Sequence, residues 1–272
     1  VAVAAAKALA ECFKQASYQI TEKLEDEMDL CICLSGDGTL LSTIRNLNDR
    51  RWQIPILPVH GSHGLGFLHS LSMPAETENF PKWAERVVDF VSKEKYKFLN
   101  RWGLVAKLYA ANGSLMKESI WALNDLVIAK GALSRMVRLS VEVNGTSLIE
   151  KTRGDGLIIS SAVGSTGYSM SAGGPVMDSS LRSLLVTPVC LHHMSIRPLV
   201  LHYSNTIRIK ILESSNSCYL TCDGQEGFKL ESGQSVELCS APHTLKWMMP
   251  DETMVERNFF KLLGGKLGYG GN

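Results

Sequence analysis

Hydrophobic periodicity changes character near Tyr96, and that change limits the architectures open to this chain. Before it, Leu9, Phe13, Ala16, Ile20 and Leu24 recur at helical spacing, predicting an amphipathic helix that ends at the acidic turn 25–29. A buried strand, LCICL (30–34), follows, then a helical face of Leu40, Leu41, Ile44 and Leu47, then a second strand, PILPV (55–59). Strand, helix, strand is an α/β unit, and PKWAERVVDFVSK (81–93) reads as a further helix with its proline suited to the first turn. After Tyr96 come short β-branched or aromatic segments separated by Asn, Gly or Ser turns, including WGLVAKLYA, VRLSVEVNG, DGLIISS and NTIRIKIL. They predict an all-β region, with Asn144-Gly145 as a hairpin turn. Residues 252–263 read as helical again, before the glycine-rich tail.

At 272 residues, the chain has room for a sizeable core in two domains. Apolar residues make up 45% and charged residues 20%, a balance that points to a globular chain. No segment approaches the ~20 apolar residues of a membrane span, so no membrane partner is expected. Lys and Arg (28) nearly balance Asp and Glu (27), with no basic block, so no nucleic acid partner is expected either. The seven cysteines form no C-x-x-C and no regular framework, which places the chain in a reducing compartment, the cytoplasm by expectation, or an organelle if a targeting peptide has been removed.

Two stretches carry chemistry. In LSGDGTLL (34–41), glycines at 36 and 38 let a ligand approach the backbone, and the N–H groups of the following helix suit phosphate. A carboxylate between them, Asp37, would repel that phosphate unless Mg²⁺ bridges the two or the carboxylate faces a hydroxyl whose proton it accepts. A plain helix cap at Asp37 is the competing reading. A P-loop lysine is missing, and Leu41 occupies the third glycine position of the dinucleotide fingerprint. The second stretch is RGDGLIISSAVGSTGYSMSAGGP (153–175), whose density of hydroxyls beside Tyr168 suits ribose or phosphate recognition with a base stacked on the ring. His60 and His63, two histidines without a third ligand, make a poor zinc site, and His192, His193, Cys218 and Cys222 make no better one. Cys31 and Cys33 read as small core residues.

Together with HGSHGLGFL (60–68), LNDLVI (123–128), LLVTPVCLHHMSIRPLVL (184–201) and TCDGQ (221–225), these stretches resemble the NAD kinase family, in the family's order. The resemblance implies an N-terminal Rossmann-like α/β domain (1–97), a central β-sandwich-like dinucleotide-binding domain (98–247) and a C-terminal segment (248–272) returning to the first. It implies phosphoryl transfer to the adenosine-ribose 2′-hydroxyl of NAD from ATP or another donor, with a divalent cation, Mg²⁺ foremost, in a homodimer or homotetramer with a shared site. Asp37 is then the catalytic base. Ser35, Gly36, Gly38 and Thr39 fall on the donor phosphates. Gly38, Phe67, Asn124, Asp125, Arg153, Asp155 and the loop Thr166, Gly167, Tyr168, Ser169, Met170 and Ser171 fall on dinucleotide-binding positions, as do Gln225 and Arg135.

The chain departs from the pattern at Ser35 (usually Gly), Asp125 (usually Glu), Gly167 (usually Ala) and His60 (often Asn). Ser35 adds a Cβ and hydroxyl where donor phosphates are expected. The GDGT turn is shared with lipid kinases and other small-molecule kinases, so such a kinase is the alternative enzyme, and an NAD(P)-binding homologue without turnover is the non-catalytic alternative.

Overall fold

The computed structural model describes residues 2–24, 26–61, 66–132, 135–192, 196–213, 218–251 and 259–268. The chain divides into two compact units, one formed by residues 1–100 and 245–272 and the other by residues 101–244.

The elements in chain order are α1 (Ala2–Gln15), β1 (Cys31–Ser35), α2 (Asp37–Asn46), β2 (Ile56–His60), β3 (Leu71–Ser72), α3 (Phe80–Ser92), β4 (Tyr96–Tyr109), β5 (Leu115–Ala122), β6 (Asp125–Lys130), β7 (Val137–Val143), β8 (Thr146–Gly154), β9 (Gly156–Ser161), α4 (Tyr168–Ser171), β10 (Ser183–Val189), β11 (Leu199–His202), β12 (Ile207–Glu213), β13 (Cys218–Cys222), β14 (Glu226–Leu230), β15 (Ser235–Pro250) and α5 (Phe259–Leu267). Among the described residues no helix is long and apolar enough to cross a membrane.

In the first unit β1 and β2 run parallel, Cys31 opposite Ile56 through Ser35 opposite His60, and β3 extends the parallel set at Val59 and Leu71. The last residues of β15 add another parallel neighbour, Trp247 opposite Ile56. β2 is buried along its whole length, as a parallel strand covered on both faces must be. Its cover comes from α1 and α3: Ala5, Leu9 and Phe13 pack with Phe80, Trp83, Val87 and Phe90 around Leu57 and Val59. The strand, helix, strand reading of the sequence is therefore the α/β fold observed here.

The predicted first helix is shorter than its periodicity implied. It ends at Gln15, and Ser17 takes a left-handed φ of 67° that breaks the helix before Ile20, which is exposed. The helix expected from Leu40 begins earlier, at Asp37. The C-terminal helix is described over Phe259–Leu267 and ends beyond the expected Leu263; residues 252–258 of the 252–263 expectation lie outside the described residues.

In the second unit an antiparallel sheet is ordered β11-β10-β9-β6-β13-β14. A second layer pairs the first part of β15 with β12, β12 with β7, and β7 with β8, while β4 pairs with β5. Leu126, Ile128, Leu157 and Leu220 of the first layer share one core with Leu104, Leu139, Ile209 and Val236 of the second. This is a β-rich sandwich: the segments after Tyr96 predict its all-β character and the family resemblance its layering. The β7–β8 hairpin turns on Asn144 and Gly145, with φ of 50° and 78°, the two left-handed residues that a tight hairpin turn requires.

Candidate active site

β1 ends at Ser35 and α2 starts at Asp37, so the LSGDGTLL stretch is a strand-to-helix junction with Gly36 as the N-cap in extended conformation. Asp37 is the first residue of the helix, so the N-cap position itself falls to Gly36, which has no side chain to cap with. Asp37 Oδ1 accepts the Leu68 N–H at 3.3 Å and lies 3.1 Å from Nδ1 of His69. The Asp37 side chain keeps 31% exposure while that of His69 is fully buried. Burial raises the affinity of Asp37 for a proton. The close approach of His69 Nδ1 and its electrostatic pull, the Leu68 N–H and the field of His60 together outweigh it, and hold the carboxyl below its ordinary value. The positive end of α2 acts in the same sense.

The loop holding Leu68 and His69 is itself pinned. Ser70 N–H donates to the Pro58 carbonyl at 2.9 Å and Met73 N–H to the His60 carbonyl at 3.1 Å, both on β2, and Trp247 Nε1–H donates to the Leu68 carbonyl at 3.1 Å. Phe67, half-buried, meets Phe259 edge to face at 6.5 Å. Gly38 and Thr39 lie exposed in the first turn of α2, where backbone N–H groups have no acceptor within the helix. Ser35, expected on the donor phosphates, puts its hydroxyl on the buried face of β1, 3.1 Å from Cys33 Sγ. Cys31 and Cys33 are buried core residues. His60 is buried too, its ring centroid 5.1 Å from that of His69, whereas His63 and His193 lie outside the described residues.

In the second unit the segment Leu123, Asn124, Asp125 enters β6 over a carboxylate. Asp223, at φ 50° in the β13–β14 turn, accepts N–H groups from Leu123 (3.0 Å), Asn124 (2.8 Å) and Asp125 (3.2 Å). Sequence reasoning noted CDGQ but not this role; an Asp-Gly turn is the signal that could have flagged it. Asp125 is 6% exposed. Burial first, and the neighbouring Asp223 charge second, push its carboxyl up to about 7.

The 164–171 loop docks on this segment. Its first glycine is required by contact: a Cβ on Gly164 would sit 2.0 Å from the Asn124 carbonyl oxygen. Ser161 Oγ donates to the Leu123 carbonyl at 2.6 Å and accepts the Gly164 N–H at 3.2 Å. Ser165 donates to the Ala162 carbonyl at 2.8 Å, and Ser169 pairs with Thr187 at 2.7 Å, so two of the loop's hydroxyls hold its shape. Tyr168 is 48% exposed, Ser171 is exposed, and Thr166, Gly167 and Met170 are half-buried. Asn124 Oδ1 is buried without a hydrogen-bond partner among the described residues. A Cβ at Gly167 would lie 3.7 Å from Asp125 Oδ2 and 3.8 Å from Asn124 Nδ2, which places these three residues together.

Other expected site residues stand apart from one another. Arg153 meets His192 Nε2 at 3.2 Å, while Asp155 pairs with Lys130 at 3.2 Å, so the two do not form a pair with each other. Arg135 and Gln225 are exposed, Gln225 donating its backbone N–H to the Cys222 carbonyl at 2.9 Å. Among the described residues no three His, Cys, Asp or Glu side chains gather to hold a metal.

A model of the ATP-NAD kinase C-terminal domain matches residues 123–249. The NAD kinase of Trichlorobacter lovleyi is 36% identical over 254 residues, covering 92% of this chain and 82% of the relative. The chain belongs to the NAD kinase family. The NAD kinase of Clostridium beijerinckii is likewise 36% identical, over 92% of this chain and 82% of its own length. Among solved structures, yeast NADH kinase complexed with NADH superposes with a TM-score of 0.78 at 25% identity, covering 97% of this chain and 77% of that one. An NAD kinase from Archaeoglobus fulgidus in complex with ATP shares the fold, with a TM-score of 0.71 at 23% identity over 95% of this chain and 93% of that one.

Proposed function

We propose that this protein is an NAD kinase that transfers a phosphoryl group from ATP to the adenosine-ribose 2′-hydroxyl of NAD, giving NADP and ADP. The observation that carries the reading is the placement of Asp37. It stands at the head of α2 just past the N-cap, uses one oxygen to accept from Leu68 and to meet His69 Nδ1, and is held below its ordinary proton affinity. Its second oxygen is then the base. As the ribose oxygen attacks the γ-phosphorus in line, Oδ2 takes the hydroxyl proton, the bond to the ADP oxygen breaks, and the proton later leaves Asp37 for solvent.

Gly36, Gly38 and Thr39 bring the donor phosphates to the amides at the start of α2. With Ser35 turned inward beside Cys33, its hydroxyl does not compete for that position. Asn124, through an Oδ1 that has no hydrogen-bond partner among the described residues, and Asp125 bind sugar hydroxyls. Tyr168 stacks on a base, and the 166–171 loop, Phe67, Arg153, Asp155, Arg135 and Gln225 complete the dinucleotide contacts. A single carboxylate beside a phosphate cradle suits a magnesium ion that arrives on the donor phosphates as part of the substrate. Bound there, it would neutralise charge developing on the transferred group. A homodimer or homotetramer sharing its site, in the cytoplasm, completes the proposal; light scattering tests the first and fractionation the second.

The deciding assay supplies NAD and Mg-ATP and measures NADP. Asp37→Asn is expected to lower kcat on the order of 10²–10⁴-fold, the usual loss for a general base. Wild-type turnover in that variant would remove Asp37 from the mechanism. Substituting polyphosphate for ATP and NADH for NAD in the same assay defines donor and acceptor preference.

A further inference from the structure

Behind Asp37 lies a second ionisable side chain that no step so far has used. His69 is fully buried, its Nδ1 is 3.1 Å from Asp37 Oδ1 though not in hydrogen-bonding alignment with it, and its Nε2 has no hydrogen-bond partner among the described residues. A carboxylate cannot donate, so a hydrogen bond across this contact forms with a proton on Nδ1. We propose that His69 is the positioning partner of the catalytic base: together with the Leu68 N–H it engages Oδ1 and so leaves Oδ2 as the atom that receives the substrate proton. This inference rests on the kinase reading of Asp37.

The geometry supports a built arrangement. Leu68 and His69 are consecutive, so a single stretch of backbone presents both donors to one oxygen. That stretch is fixed to β2 through Ser70 and Met73 and to β15 through Trp247, which leaves the two donors little freedom to follow a wandering carboxylate. The His69 ring lies off the ideal hydrogen-bonding line to Oδ1, and catalytic hydrogen bonds often align only in the substrate complex. His69 and His60 are the titratable groups that bear on Asp37 among the described residues, and both favour its ionised form.

A positioning role and a merely structural one separate by substitution. Asparagine can place an amide N–H where Nδ1 stands, whereas leucine fills the space without a donor. His69→Leu is expected to lower kcat on the order of 10²-fold with KM for NAD unchanged, because the base is present but misaimed. It should also move the acidic limb of the kcat profile to higher pH, since burial of Asp37 is then opposed by fewer donors. His69→Asn should restore most of kcat and return the limb towards its original place.

Wild-type kcat and an unmoved limb in His69→Leu would overturn the proposal, as would a His69→Asn variant that folds but is no better than the leucine one. Should either variant fail to fold, carbon-detected NMR titration of aspartate carboxyls in the wild-type protein decides. An Asp37 midpoint below the ordinary carboxylate value supports the pairing, and one at or above it refutes it. That titration needs no turnover, so it separates failure of the pairing from failure of the kinase reading, which Asp37→Asn tests.

Discussion

Two carboxylates of this chain respond to pH in opposite senses, and the reason is local. Asp125 is raised from 3.8 to about 7 by burial and by Asp223. Over that interval the folded state keeps a proton that the unfolded state has released, so stability falls as pH rises and levels off above the upper value. The total is on the order of a few kcal/mol. Asp125→Asn should flatten this slope in denaturant unfolding followed across the same range; a slope that persists would reassign it. Asp37, lowered from 3.8, works the other way: its contribution is present above that value and is lost as pH falls through its folded one. Asp223 matters for a different reason, since three backbone N–H groups converge on it. Asp223→Ala leaves them without their acceptor and should cost about 1–3 kcal/mol or more, and it should weaken NAD binding measured by calorimetry because Asn124 and Asp125 lose their support.

At the scale of elements, glycines at 164 and 167 look alike in GSTG yet answer to different constraints. Gly164→Ala drives a methyl into the Asn124 backbone, where nothing flexible can yield, and should destabilise by about 3 kcal/mol or more. Gly167→Ala meets its nearest atom, the Gly164 carbonyl oxygen, at 3.2 Å, at a negative φ of −92°, so a shift of a few tenths of an ångström accommodates it. Its stability should change by no more than about 1 kcal/mol. Thermal unfolding of the pair distinguishes a loop that is packed from one that is only short of side chains. The helices show the same division between pattern and contact. α3 starts within a residue of its proline, as the sequence predicts, while α1 ends well before its apolar spacing does. Ile20 and Leu24 continue the helical spacing by position alone, and the left-handed backbone at Ser17 redirects the chain before it could use them.

For the molecule as a whole, the notable path is the return of the chain end into the first unit. β15 places Trp247 beside Ile56, and the indole N–H reaches the carbonyl of Leu68, whose own N–H holds Asp37. Trp247→Phe keeps the packing but strands that carbonyl, and should cost about 1–3 kcal/mol and reduce kcat. An unfolding midpoint and a kcat equal to wild type would show that the loop is held without it.

The amino-acid sequence by itself determined the α/β unit around SGDGT, the β-rich region after Tyr96 and the family, because these rest on periodicity and on contiguous motifs. It marked Asp37 and left a helix cap and a base as alternatives. Only the tertiary structure decided between what the side chains touch: that Gly36 rather than Asp37 is the N-cap, that Ser35 turns inward, that Arg153 and Asp155 meet different partners, that His69 meets Asp37, and that Asp223 holds the Asn124 segment. The contacts of Asp37 and Asp223 join residues 31 to about 100 positions apart, and their pairing is set by strand register and loop anchoring rather than by any spacing along the chain.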